Sequence, residues 1–131
     1  MTGGLRSGVA LGRVVRSVVA AVPGRVDPQS CPALPAVVAH RGGRERSLEN
    51  TLGSFGSAGA AGILTWELEV HFDVSGLPVV LHDDTVDRVS PKSGPIADPD
   101  AADHAIPSGD GQWIPTLREV YDLAKEYGRA S

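Results

Sequence analysis

Between residues 64 and 74 the chain reads LTWELEVHFDV, with apolar and polar positions alternating at a strict period of two. That pattern predicts a β-strand with one buried face. Trp66, Leu68, Val70, Phe72 and Val74 fall on the apolar side and Glu67, Glu69, His71 and Asp73 on the other, because successive strand side chains point oppositely. Glu67 and Glu69 thus stand about 7 Å apart on one face, from a rise of roughly 3.3 Å per residue. They are near enough to reach one cation or share one proton. On this stretch alone, a metal or acid–base site and a half-exposed antiparallel strand with a solvated acidic face are equally open.

The patterning elsewhere predicts the neighbours of this strand. Residues 36–39, AVVA, form a short continuous apolar run, as in a strand covered on both faces of a parallel sheet, and it ends in His40, Arg41, Gly42 and Gly43. A His-Arg pair followed by glycines at a strand end suits an anionic, oxygen-rich ligand. From Ser47 to Thr51 come helix-capping residues, and Leu52, Phe55, Ala58 and Gly59 then repeat with helical spacing to about Ala61. Gly53, Gly56, Gly59 and Gly62 recur every three residues. Either this is a glycine-rich loop, or tertiary packing offsets about 0.5–1 kcal/mol per interior glycine by letting the helix lie very close to the sheet.

Ser75 and Gly76 read as a turn, and residues 78–81, PVVL, as another short buried strand closing on His82, Asp83 and Asp84. His40, the Glu67–Glu69 pair and His82 therefore lie at or near the carboxyl ends of three consecutive predicted strands. In parallel α/β sheets that is the edge where ligands bind. Residues 86–112 lack periodicity and read as an irregular segment, within or beside which His104 and Trp113 either line a pocket or pack as ordinary loop residues. Thr116 and Glu119 form a capping box ahead of a helix with the apolar stripe Leu117, Val120, Tyr121, Ala124 and Tyr127.

Composition changes the picture mainly at the amino terminus. The first 34 residues carry Arg6, Arg13, Arg16 and Arg25 and no acidic residue before Asp27, whereas from Ser47 onward acidic residues outnumber basic ones by 14 to 5. Arginines interrupt every valine and alanine run of that leader, so it lacks the unbroken apolar centre of a secretory signal or a membrane span. Residues 1–35 are expected to be a disordered or loosely helical leader with a Pro-rich linker, an unusual targeting peptide being the alternative, and residues 36–131 the folded part. The net charge of −4 gives no general affinity for nucleic acid or anionic membrane. Cys31 stands alone, so an internal disulfide is excluded and a reducing, cytoplasmic setting is expected.

In order, the chain supplies AHRGG at 39–43, ENTLGSF at 49–55, ELEV at 67–70, SGLPVVLHDDTVDR at 75–88, SGPIAD at 93–98 and IPTLREV at 114–120. This succession closely resembles the glycerophosphodiester phosphodiesterase family over about residues 36–127. The resemblance implies an α/β fold of TIM type, here an incomplete (β/α) barrel of about the first three strands and their helices. It implies hydrolysis of a small-molecule glycerophosphodiester to glycerol 3-phosphate and an alcohol, with a divalent cation, Ca²⁺ or Mg²⁺, as cofactor. His40 and His82 would be the acid–base pair, in either order. Arg41 would clamp the phosphate, Glu49 would orient Arg41 or the glycerol, and Glu67 and Glu69 would bind the metal. No nucleic-acid partner and no stable membrane insertion are implied.

Two departures qualify the likeness. The family's carboxylate pair is usually Glu-x-Asp, whereas Glu69 is one methylene longer. A barrel of this type also needs about 250 residues, and the family's next strand brings a further metal-binding glutamate and a lysine without counterpart here. The chain is therefore expected to be the amino-terminal part of the catalytic domain, with an unpaired strand edge and weak metal affinity. The alternative is a non-catalytic truncated fragment or degenerate relative with at most a binding role.

Overall fold

The computed structural model describes residues 15–21, 37–43, 47–98 and 112–129. The remainder of the expected leader, with Cys31, and also His104, lie outside the described residues. The fold is mixed α/β: strands β1 (Val15–Ala21) and β2 (Ala39–His40), helix α1 (Leu52–Ala60), strands β3 (Thr65–Phe72) and β4 (Pro78–Val80), and helix α2 (Leu117–Arg129). The alternating stretch is the middle of the sheet. β1 runs antiparallel along one edge of β3, with Val15 opposite Val70 and Ala20 opposite Trp66. Residues 15–21 are thus a paired strand, contrary to a disordered or loosely helical leader.

The other edge of β3 is shared. β2 pairs parallel with its first half, Ala39 to Trp66 and His40 to Glu67. β4 pairs antiparallel with its second half, Val70 to Val80 and Phe72 to Pro78. The third expected barrel strand is therefore not parallel. Asp73 and Leu77 close a tight turn, with Asp73 N donating to Leu77 O at 3.0 Å and Asp73 Oδ1 accepting from Ser75 N at 2.8 Å and Leu77 N at 2.9 Å. Such a turn folds the chain straight back, whereas a parallel neighbour needs a crossover of about a dozen residues. Among the described residues only β2, α1 and β3 form a βαβ unit.

The apolar face of β3 behaves as the alternation requires through Trp66, Leu68 and Val70, all buried with Phe55, Ala58, Val80, Val120 and Ala124. The pattern slips at the end, where His71 is buried and Phe72 only half-buried. β2 is shorter than its apolar run, and Val37 and Val38 are exposed rather than covered on both faces. Val79 and Leu81 turn to the opposite side of β4, into a second cluster with Val86, Val89, Ile96 and Ile114. The irregular segment thus has a core of its own.

The predicted helices form with their predicted caps. Thr51 caps α1 in a reciprocal box with Ser54, and Glu119 Oε2 accepts from Thr116 N at 2.8 Å while Thr116 Oγ1 accepts from Glu119 N at 3.2 Å. Tyr121, expected in the stripe of α2, is exposed beneath the Lys125 ammonium, and Leu123 packs inward instead. The α1 glycines serve α2 and Gln112 rather than the sheet: Tyr127 OH donates to Gly56 O at 2.8 Å, Gly53 N donates to Gln112 Oε1 at 3.2 Å, and a Cβ on Gly59 would lie 2.6 Å from the Tyr127 ring. That ring is also held edge-on against Trp66, centroids 5.9 Å apart. Gly59→Ala is therefore expected to destabilise, an overpacking cost of about 1–3 kcal/mol outweighing up to about 1 kcal/mol of gained helix propensity. Denaturant unfolding checks this; a more stable variant would show that the ring yields.

Candidate active site

β2 and β4 approach each other head to head along β3, and their ends meet at the acidic pair. Arg41 N donates to Glu67 O at 2.9 Å and Leu81 N to Glu69 O at 3.0 Å, so two carbonyls of one strand edge anchor the two incoming chain ends. The antiparallel return of β4 is thus what brings the chain, through Leu81 at Glu69, into His82. His40 lies in register with Glu67, its Nε2 3.8 Å from Glu67 Oε2, and its side chain is 60% exposed. Arg41 and Asn50 both have positive φ, 53° and 58°, a backbone region costly for residues other than glycine. The Arg41 carbonyl accepts from Asn50 N at 2.9 Å and Ser54 Oγ at 3.1 Å, which fixes that bend. Gly42 (φ 79°) follows without a side chain because a Cβ there would strike Ser54 Oγ.

The charged side chains form one continuous network. Arg41 donates through Nε to Glu69 Oε1 and through Nη1 to Glu49 Oε1, both at 3.1 Å. Asn50 Nδ2 holds the other Glu69 oxygen at 3.0 Å. Glu49 is buried, and its Oε1 also accepts from Arg88 Nη2 at 2.6 Å. Arg88 Nε donates to Asp83 Oδ2 at 2.7 Å, and Asp83 Oδ1 meets His82 Nδ1 at 2.5 Å. Buried His71 donates from Nε2 to the His82 carbonyl at 3.1 Å, since a carbonyl can only accept.

The Arg88 hydrogen bond, aided by His82, holds the Asp83 carboxyl below its ordinary range, and Asp83 and Glu49 raise Arg88 in turn. A depressed carboxyl stabilises the fold fully above the unfolded-state value, about 3.9, and that contribution is lost as pH falls through the folded value. The excess stability of the wild type over Asp83→Asn is accordingly expected to stay constant above about pH 5 and to shrink below about pH 4. It should be modest, because the pair is partly exposed and screened. Denaturant unfolding across a pH series measures it, and an excess that grows on acidification would reverse the assignment.

All six side chains singled out in the sequence lie around this junction. Arg41, expected to clamp phosphate, is engaged with Glu49 and Glu69. His40, Glu67 and Glu69 each offer a ligand atom within 4.8 Å of the others, a group able to hold a metal ion. The donors fit a hard divalent cation through their carboxylate oxygens. Each Glu69 oxygen already accepts one hydrogen bond, which presets its orientation while leaving lone pairs for a cation. Sequence reasoning missed Asn50, His71, Asp83 and Arg88 as members of the network. Asp83 and Arg88 stood in a quoted motif, but nothing in their spacing showed Arg88 reaching Glu49.

Two imidazoles, an arginine and paired carboxylates gathered at strand ends have the make-up of an acid–base site for an anionic substrate. Residues 40–125 match the glycerophosphoryl diester phosphodiesterase family, and the chain belongs to it. It is 37% identical over 95 residues to glycerophosphodiester phosphodiesterase 1 of Rattus norvegicus, covering 65% of this chain and 29% of that protein. It is 38% identical to a glycerophosphodiester phosphodiesterase of Caldanaerobacter subterraneus, covering 66% of this chain and 39% of that one. An Oleispira antarctica phosphodiesterase, solved with the product sn-glycerol-3-phosphate, superposes with a TM-score of 0.65 at 35% identity, over 72% of this chain and 41% of that one. The chain thus spans about a third of the length of these curated relatives. Among the described residues no helix is long and apolar enough to cross a membrane.

Proposed function

We propose that this chain carries the amino-terminal part of a phosphodiesterase site that hydrolyses a glycerophosphodiester to glycerol 3-phosphate and an alcohol with the help of a divalent cation. The observation that supports this best is the meeting of β2 and β4 at Glu67 and Glu69, which puts a histidine on each arm of one acidic junction. Glu67 and Glu69 would hold the cation, Ca²⁺ or Mg²⁺, which when bound offsets the negative charge on the phosphoryl group. His40 is then left for proton transfer, because a hard cation prefers oxygen to imidazole nitrogen. One histidine takes the proton from the attacking hydroxyl, the glycerol's own in this family's scheme, as the other gives a proton to the departing alcohol oxygen; water then opens the cyclic phosphate so formed to glycerol 3-phosphate, with the two proton roles reversed. Arg41, braced by Glu49 and Glu69, presents a fixed positive charge to the phosphate. Barrel closure beyond the described elements belongs to this reading, as does the metal.

The test is the release of glycerol 3-phosphate from a glycerophosphodiester with Ca²⁺ or Mg²⁺ and with a chelator. In a longer chain that contains these residues and the rest of the site, turnover is expected with metal and is lost on chelation. Glu67→Gln, which keeps shape and removes charge, is expected to raise the metal concentration for half-activity by about 10-fold or more, one ligand's charge in a set that already relies on water. Unchanged metal dependence in this variant would remove Glu67 from the set. Tight binding of glycerol 3-phosphate without any turnover would favour the non-catalytic reading.

A further inference from the structure

His82 is tethered at two points. His71 holds its carbonyl, and Asp83 engages ring atom Nδ1. Asp83 is itself only one residue along the chain and partly exposed, so its carboxylate needs a second anchor to keep a fixed direction. Arg88 supplies that anchor and is well placed to do so. Val86 and Val89, on either side of it, are buried in the second core cluster, and Val89 N and Ser90 N both donate to Val86 O, at 3.1 and 2.9 Å, closing a turn around the arginine. From this turn the planar guanidinium forks, with Nε on Asp83 Oδ2 and Nη2 on Glu49 Oε1. Glu49 is 3% exposed and held at the same oxygen, Oε1, by Arg41, so the far end of the fork rests on a buried group.

We propose that Arg88 is a positioning residue: by bridging Asp83 to Glu49 it orients the Asp83 carboxylate to accept the Nδ1–H of His82, leaving Nε2 as the nitrogen that exchanges a proton with the substrate. An ionised carboxylate can only accept, so the hydrogen on Nδ1 follows from the contact. The Asp83 carboxyl is held below its ordinary range, which keeps it ionised at neutral pH. The bridge also ties the histidine arm to the arginine arm, since Glu49 Oε1 serves both guanidinium groups. Lysine could not replace it: one ammonium lacks the rigid pair of donors that spans two separate carboxylates. The role of Nε2 in proton transfer rests on the function proposed above; the tautomer does not.

The tautomer can be read without turnover. In the ¹⁵N-labelled chain at about pH 8.5, two units above the ordinary imidazole value, long-range ¹H–¹⁵N correlation spectra distinguish protonated from bare ring nitrogens, and His82→Gln assigns the signals. The wild type is expected to show His82 protonated at Nδ1. Arg88→Gln is expected to lose most of that population in favour of the Nε2–H form preferred by free imidazole, and Arg88→Lys to fall between the two. An Arg88→Gln spectrum with the wild-type tautomer overturns the proposal. Should Arg88→Gln lose its dispersed amide spectrum, Arg88→Lys decides, a wild-type tautomer again being fatal. If the wild-type chain shows no turnover yet its His82 tautomer depends on Arg88, the positioning role stands and the functional reading fails. If it is active, Arg88→Gln is expected to lower kcat about 10–100-fold with KM little changed, and an unaltered kcat overturns the role in catalysis.

Discussion

If the proposed phosphodiesterase function holds, His82→Ala is expected to lower the rate of glycerol 3-phosphate release by about 10²–10⁴-fold, the usual worth of a positioned acid or base, and to leave thermal unfolding unchanged. The two halves of that expectation come from the same geometry. The ring is 42% exposed and outside both core clusters, so its removal opens no cavity. Its Nδ1 is engaged by Asp83, so the substitution silences the whole Asp83–Arg88 arm at once. Steady-state assays in this chain, or in a longer one that contains it, measure the loss. Activity within a few-fold of wild type would take His82 out of the reaction, and a large fall in melting temperature would make it a structural residue.

Trp66→Ala is expected to cost about 3–5 kcal/mol of stability. Trp66 is fully buried between Phe55, with ring centroids 5.4 Å apart, and Tyr127, and its Nε1 donates to Ile63 O at 2.7 Å. It is a residue of β3 in ring contact with both helices, so alanine opens a cavity between the sheet and helix layers and takes the donor from the Ile63 carbonyl. Against a total stability of about 5–15 kcal/mol typical of a small domain, the loss takes about a fifth or more. Far-UV circular dichroism melts are expected to show a much lower or uncooperative transition. A loss under about 1 kcal/mol, typical of surface changes, would mean that the core does not depend on this ring.

Local patterns carried much of the fold. Both helices, their caps and the central strand were legible because each depends on residues three or four apart, or on a period of two. What was not legible depends on distant partners. His71 belongs to the polar side by alternation, yet the His82 carbonyl draws it into a buried position. The direction of β4 was available and misjudged: a Ser75–Gly76 turn that short admits only an antiparallel return. Val15–Ala21 is rich in β-branched residues but interrupted by Arg16, and only the edge of β3 makes it a strand. The six candidate residues were singled out by motif and strand position. Arg88 was not, because its partner Glu49 lies 39 positions away.

The placement of β1 has a consequence for the acidic strand. Trp66 is flanked by Ala20 on one side and Ala39 on the other, and Val70 by Val15 and Val80. β3 is therefore paired on both borders at Glu67, by Val19 and His40, and on both borders at Val70, while the β1 register shifts between Val15 and Val18, opposite Glu69. Edge-to-edge association between copies, the common hazard of an unpaired strand, has no foothold there. A closed parallel barrel, however, gives that same border to its next strand. One set of backbone donors and acceptors cannot serve two neighbours, so β1 and any such strand are mutually exclusive tenants of β3, and the second can enter only as the first leaves.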